Sequence, residues 1–194
     1  MTLTWWKQNK YRSCDGIICD GSVRSGKTVC MALSFVLWSM ERFENQRFAL
    51  CGKTIESLRR NVTGLLPQWL EGICQIEERR SENRLTISMN GRRNDYYLFG
   101  GKDEGSYALI QGMTLSGVLF DEVALMPRSF VEQALARCSV EGSKFFFNCN
   151  PEGLHKLCGQ FSEIENSICR SPYTLTSLIT TRQNARLPAR SKLS

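Results

Sequence analysis

Apolar residues in this chain fall in short blocks separated by polar turns, and the spacing inside each block decides the element it predicts. Residues 17–19 form a brief apolar stretch that ends at a glycine-rich loop. Beyond the loop, residues 29–42 place Met31, Leu33, Phe35, Val36, Leu37 and Met40 at helical spacing, which predicts a broadly buried helix. Residues 48–51 predict a second strand. Thr54 is suited to cap a helix that carries Ile55, Leu58 and Val62.

A short helix follows over residues 65–70, with Pro67 near its start, and then three strands over residues 74–77, 85–89 and 96–99. Gly100 and Gly101 stop the last of these, and residues 105–114 read as a functional loop or short helix. Residues 118–120 are an apolar run ending in Asp121 and Glu122. A helix over residues 130–137 and a strand over residues 144–147 come next, and that strand runs into Asn148, Cys149, Asn150 and Pro151. Short apolar strands alternating with helices predict an α/β three-layer sandwich on a mainly parallel central sheet.

Beyond Pro151 the texture changes: Ser and Thr are frequent, basic residues exceed acids, and no amphipathic period emerges. Residues 1–151 are therefore expected to form one domain. Residues 152–194 are expected to be an atypical or poorly ordered tail, a linker, or a segment that packs on another chain. A length of 194 residues with 42% hydrophobic and 23% charged positions suits one buried core and excludes wholesale disorder. The longest apolar run, near residues 29–38, is broken by Ser34 and too short to span a bilayer. With no export signal at the start, the expected compartment is the cytoplasm, with no membrane partner.

Nine cysteines include no CxxC pair and read mainly as small core residues. Cys149, His155, Cys158 and Cys169 match no common zinc template. A net charge of +6, with the pairs Arg59/Arg60, Arg79/Arg80 and Arg92/Arg93, is compatible with a polyanionic partner.

The loop after the first strand carries specific chemistry. Its eight residues, Gly21, Ser22, Val23, Arg24, Ser25, Gly26, Lys27 and Thr28, match the phosphate-binding pattern GxxxxGK[ST] at every fixed position. The glycines let backbone amides approach phosphate oxygens, Lys27 suits the β and γ phosphates, and Thr28 offers a hydroxyl ligand for Mg2+. The start of the next helix adds unpaired amides and the positive end of its dipole. This combination predicts a bound nucleoside triphosphate, which its pairing with Asp121 and Glu122 narrows to ATP.

Asp121, at the end of an apolar strand, is the expected partner of that Mg2+, and Glu122 the expected base or orienter for an attacking water. Arg24 lies inside the phosphate loop, where a guanidinium either stabilises charge on the transferring phosphoryl group or turns outward to an acid. If the 144–147 strand neighbours the Asp121 strand, Asn148 or Asn150 can sense the γ phosphate and couple its loss to movement; otherwise they are turn residues beside proline.

Taken together, GSVRSGKT, VLFDEVALMP and FFFNCNPEG resemble the N-terminal ATPase domain of phage terminase large subunits of the type found in prophages of Gram-positive bacteria. LFGGKDEGSYALIQGMTLSG and SFVEQALARCSVEGSKFFFNCNP extend the likeness over roughly residues 12–153. The resemblance implies an ASCE-type P-loop NTPase fold and an ATP-driven motor that moves double-stranded DNA into a capsid. It also implies a homo-oligomer, a portal and a small terminase subunit as partners. By position it makes Lys27, Thr28, Asp121 and Glu122 the nucleotide, metal and water-activating residues, matches Arg24 to the arginine of terminase phosphate loops, and puts Asn148 and Asn150 in the coupling region.

Arg128 and Arg137 are candidate trans-acting arginines under this resemblance, and the 111–117 segment is a candidate for DNA contact or subunit coupling. Gln8 is the only upstream glutamine available for adenine contact. Under the resemblance, the nuclease domain of the family has no counterpart in residues 152–194, from which a truncated or frameshifted prophage gene or a split coding sequence, and no nuclease activity, are expected. Two other readings stay open: a helicase-like or recombination ATPase, and a degenerate prophage product that binds nucleotide without efficient turnover.

Overall fold

The structure is a computed structural model that describes residues 3–9, 11, 13–21 and 25–150, together with the backbone of 168–172. Its frame is an eight-stranded sheet: β1 (Gly16–Asp20), β2 (Arg47–Gly52), β3 (Gln75–Arg79), β4 (Arg84–Met89), β5 (Arg92–Gly100), β6 (Gly117–Phe120), β7 (Lys144–Cys149) and β8 (Ile168–Pro172). The spatial order is β3-β4-β5-β2-β6-β7-β1-β8. From β5 to β8 every pairing is parallel, and only β3 and β4 join antiparallel at one edge.

The central strands are apolar through their middle because both sheet faces are covered. Side chains alternate between faces. Ile17, Cys19, Phe48, Leu50, Leu119 and Phe146 join one core cluster, while Ile18, Ala49, Cys51, Val118, Phe120 and Phe147 join a second. Helix α1 (Lys27–Arg42) covers the first face, where Phe35 and Trp38 pack against Phe48 and Phe146 with ring centroids 5.0–5.8 Å apart. Helix α4 (Arg128–Arg137) covers the second through Phe130, Val131 and Ala134. The result is the expected three-layer α/β sandwich.

Between β2 and β3 lie helix α2 (Ile55–Leu58), a π-helical turn over Arg59–Thr63, and helix α3 (Leu66–Trp69). Thr54 caps α2 as expected, accepting from the Ser57 amide at 3.1 Å while Ser57 Oγ accepts from the Thr54 amide at 3.2 Å. The helix predicted to run from Ile55 through Val62 therefore changes from α to π spacing at Arg59, with Leu58 and Val62 both fully buried. The segment after β5 is a 3-10 helix, Glu104–Leu109, capped by Asp103.

One boundary differs from the expectation. Asn148 belongs to β7 rather than to a loop after it, because its backbone continues the parallel ladder opposite Cys19. Within the segment expected to be a tail, Ile168–Pro172 forms β8 and pairs with β1, residue 16 facing 168 and residue 20 facing 172. A five-residue edge strand in a Ser- and Thr-rich context carries too little pattern to stand out.

Candidate functional site

The site grows from the carboxyl ends of three adjacent strands. β7 is inserted between β1, which leads into the phosphate loop, and β6, which leads into Asp121. In a parallel sheet this brings the residues after β1, at the end of β6 and at the end of β7 to one edge. Sequence-distant groups then meet: Thr28 Oγ1 donates to Asp121 Oδ1 at 3.2 Å, and Asn148 Nδ2 donates to the same Oδ1 at 2.7 Å and to Thr28 Oγ1 at 2.8 Å.

Gly26 makes the turn from loop to helix at φ 79°, ψ 7°, a left-handed conformation that suits a residue without Cβ. Lys27, at the first position of α1, is buried at 6% exposure. Its Nζ donates to the Gly21 carbonyl at 2.8 Å, to Ser25 Oγ at 3.4 Å and to Asn150 Oδ1 at 3.4 Å. A buried ammonium needs acceptors, and here loop and strand-end oxygens provide them. Ser22, Val23 and Arg24 lie outside the described residues.

Asp121 is 5% exposed. Burial pushes its carboxyl above the ordinary range, opposed by hydrogen bonds from Asn148, Thr28 and Asn61 and by the charge of Lys27. Asn148 Oδ1 is buried and has no partner. A carboxylate, a hydroxyl and an unpartnered amide oxygen in one buried cluster are hard oxygen donors, and this set fits Mg2+.

Glu122 differs from its neighbour in every respect. It is exposed, and its backbone sits at φ 55°, ψ 50°, in the left-handed region that a non-glycine residue occupies at a cost. That turn breaks away from β6, reverses the chain into the 3-10 turn Val123–Leu125, and leaves the Glu122 carboxylate outside the buried cluster.

Asn61, on the π-helical turn, enters only as a hydrogen-bonding influence that lowers the Asp121 carboxyl, and no periodic or motif pattern distinguishes it from other polar helix residues. Of the candidate trans-acting arginines, both on α4, Arg128 is exposed and donates to Glu132 at 2.6 Å, while Arg137 is half-buried with its Nε unpartnered. Gln8 follows the 3-10 turn Trp5–Lys7 and accepts from the Tyr11 amide through its carbonyl at 2.9 Å.

Cys19, Cys51, Cys74 and Cys138 are free thiols, and Cys14 is disulfide-bonded. His155 and Cys158 lie outside the described residues. Among the described residues no group of three or more His, Cys, Asp or Glu gathers as a metal site. No helix among them is long and apolar enough to cross a membrane.

Residues 18–184 match the family described as terminase large subunit, T4likevirus-type, N-terminal. The chain belongs to this family. The large terminase of a thermophilic bacteriophage is similar at 46% identity and a TM-score of 0.81, over 93% of this chain and 46% of the phage protein. The same terminase in complex with ADP is similar at 45% identity and a TM-score of 0.81, again over 93% and 46%. Its complex with ATP-γ-S gives 43% and 0.79, over 93% and 45%. The large terminase ATPase domain of Thermus phage P74-26, 16% identical with a TM-score of 0.54 over 76% of this chain and 66% of that one, shares the fold. No curated protein matches the chain. This terminase chain thus spans under half the length of the thermophilic phage protein, and its family match runs past Gly153 through the segment that contains β8.

Proposed function

We propose that this chain is the ATP-binding and ATP-hydrolysing motor part of a DNA-packaging terminase, coupling hydrolysis to translocation of double-stranded DNA. The observation that carries the reading is the convergence of Lys27, Thr28, Asp121, Asn148 and Asn150 at the ends of three neighbouring strands. Lys27 exchanges its bonds to Gly21 and Asn150 for bonds to the β and γ phosphates, and the backbone amides of the loop and of the α1 N-terminus hold the remaining oxygens. Thr28 and Asp121 would hold Mg2+, which when bound supplies positive charge against the phosphates.

Glu122, exposed beside the cluster, serves as acceptor for the proton of the attacking water and orients it. Asn150, bonded to Lys27, and Asn148, bonded to both Thr28 and Asp121, are placed to register phosphate loss and pass it into β7. Arg24 acts on the transferring phosphoryl group in cis. The resemblance supplies the partners: double-stranded DNA, further copies of the chain, a portal and a small terminase subunit, in the cytoplasm of a bacterial host.

DNA-stimulated ATP hydrolysis by the purified chain tests the reading against Lys27→Ala and Glu122→Gln. Lys27→Ala should weaken nucleotide binding by roughly one to two orders of magnitude, the worth of charged hydrogen bonds. Glu122→Gln should keep binding and lower turnover by about 10²-fold or more. Equal turnover in all three proteins rejects the assigned site.

A further inference from the structure

The basic pairs along the chain differ in how their charge is met. Glu78 accepts from Arg59 and from Arg80, each at 3.2 Å, and Glu82 accepts from Arg79 at 3.4 Å, so the pairs at 59/60 and 79/80 share one ion-pair network beside β3. Arg92 and Arg93, at the start of β5, join no ion pair among the described residues.

β5 runs parallel to β2, and β2 to β6, so the start of β5 lies at the end of the sheet opposite the nucleotide cluster. There Asn90 and Gly91, with φ of 50° and 79°, make the tight turn from β4 into β5, close to the connection that enters β3. Between turn and connection opens a groove of about 670 Å³. Arg92, Arg93, Ile73, Cys74 and Met89 are among the residues that line it, and no carboxylate is.

Arg92 Nη1 donates to the Met40 carbonyl at 3.3 Å and to the Glu41 carbonyl. These bonds pin the guanidinium to the C-terminal end of α1 and leave Nε and Nη2 as open donors. The Glu41 carboxylate is itself taken by Lys7 at 2.9 Å. Arg93 is exposed, and its side chain reaches no acceptor among the described residues. Successive strand residues point to opposite faces, so the two cations flank the groove from either side of the sheet. Ile73 is 54% exposed and, with Met89, gives the groove an apolar wall.

Charge and shape together select the occupant. A DNA duplex is a convex rod held through rows of phosphate contacts, and its backbone offers nothing apolar to Ile73 and Met89. A peptide enters a groove, presents carboxylates that match the guanidinium fork, and carries apolar side chains beside them.

We infer that the groove between residues 72–75 and 88–93 docks a short acidic segment of a partner protein, with carboxylates on Arg92 and Arg93 and an apolar side chain against Ile73 and Met89. The groove is separate from the nucleotide site, and its role does not rest on the activity proposed there.

Fluorescence anisotropy of a labelled peptide in which glutamates flank a leucine, titrated with the whole chain, tests the inference. The same peptide with glutamine for glutamate, and a labelled DNA duplex, run beside it. The glutamate peptide should bind, and the glutamine peptide should bind about tenfold more weakly or worse. Arg93→Glu should weaken the glutamate peptide by about tenfold or more through charge reversal, and Ile73→Ser by about threefold or more through lost apolar contact. Both side chains are exposed, so the urea midpoints of the two variants should match that of the unsubstituted chain.

Failure of the glutamate peptide to bind, equal binding of the glutamine peptide, or an affinity that ignores both variants overturns the inference. Loss of duplex binding in Arg93→Glu with peptide binding intact also overturns it, and assigns the groove to nucleic acid.

Discussion

Glu122 is where local backbone cost and proposed chemistry meet. Its left-handed φ of 55° holds an L residue with a long side chain where asparagine or glycine rests more easily. Asp121, one residue earlier, is tied into the sheet by its amide and buried, and the reversal at Glu122 is what turns the second carboxylate out to the open side. If that conformation is retained for chemistry rather than stability, Glu122→Asn should raise stability by about 0.5–1 kcal/mol while removing turnover. Denaturant midpoints compared with ATPase rates check both halves. A loss of stability in Glu122→Asn would show that the glutamate makes a stabilising contact. The Asp-Glu pair was legible because a phosphate loop upstream calls for a carboxylate at the end of an apolar strand. The opposite burial of its two members was not, since it depends on a backbone angle that sequence pattern does not report.

The elements around the site were legible where one period dominated. α1 and β1 carry strong apolar patterns, so the strand, loop, helix order was clear, although the helix starts at Lys27, before its first apolar position. The close fit of α1 to the sheet was not visible. Gly117 on β6 faces the Trp38 ring, and a Cβ there would lie 2.8 Å from two ring atoms and 3.0 Å from the Lys144 carbonyl. Trp38 is itself 1% exposed, so it has little room to yield.

Gly117→Ala should therefore destabilise the fold by about 1–3 kcal/mol, the usual cost of overpacking, and should also weaken nucleotide binding, because the displaced helix carries Lys27 and Thr28. Urea unfolding and ATP-γ-S titration measure the two effects; a neutral result in both would mean that the helix has slack. Such a contact joins residues far apart in the chain, and neither segment hints at the other. The π turn escaped for a related reason: Leu58 and Val62 are both buried, so the apolar spacing of an ordinary helix survives across it.

Across the whole molecule, burial on both sheet faces sets the response to alkali. Burial pushes the thiols of Cys19 and Cys138 up to about 12 from an ordinary 9.0, and that of fully buried Cys51 well above it. In the unfolded chain these thiols ionise near their ordinary 9.0 while the folded ones keep their protons. Stability from these groups is thus fully present below about pH 9 and is lost as pH rises toward about 12. Denaturant midpoints should fall steadily over that window, and thiol reagents at about pH 8 should leave the three cysteines unmodified until the protein unfolds. Rapid native modification would place them at the surface.

Apolar alternation and one phosphate-loop motif were enough to determine, from sequence alone, that this chain is an α/β P-loop protein with an acidic strand end. Both signals are local: periodicity reports which faces are buried, and the phosphate loop works through adjacent backbone amides. Strand order is not local. Only the tertiary structure inserted β7 between β1 and β6, set Asn148 against Thr28 and Asp121, and drew β8 to the edge of the sheet. Those neighbours are chosen by the packing of whole strands and helices against one another, through contacts between residues that lie far apart along the chain.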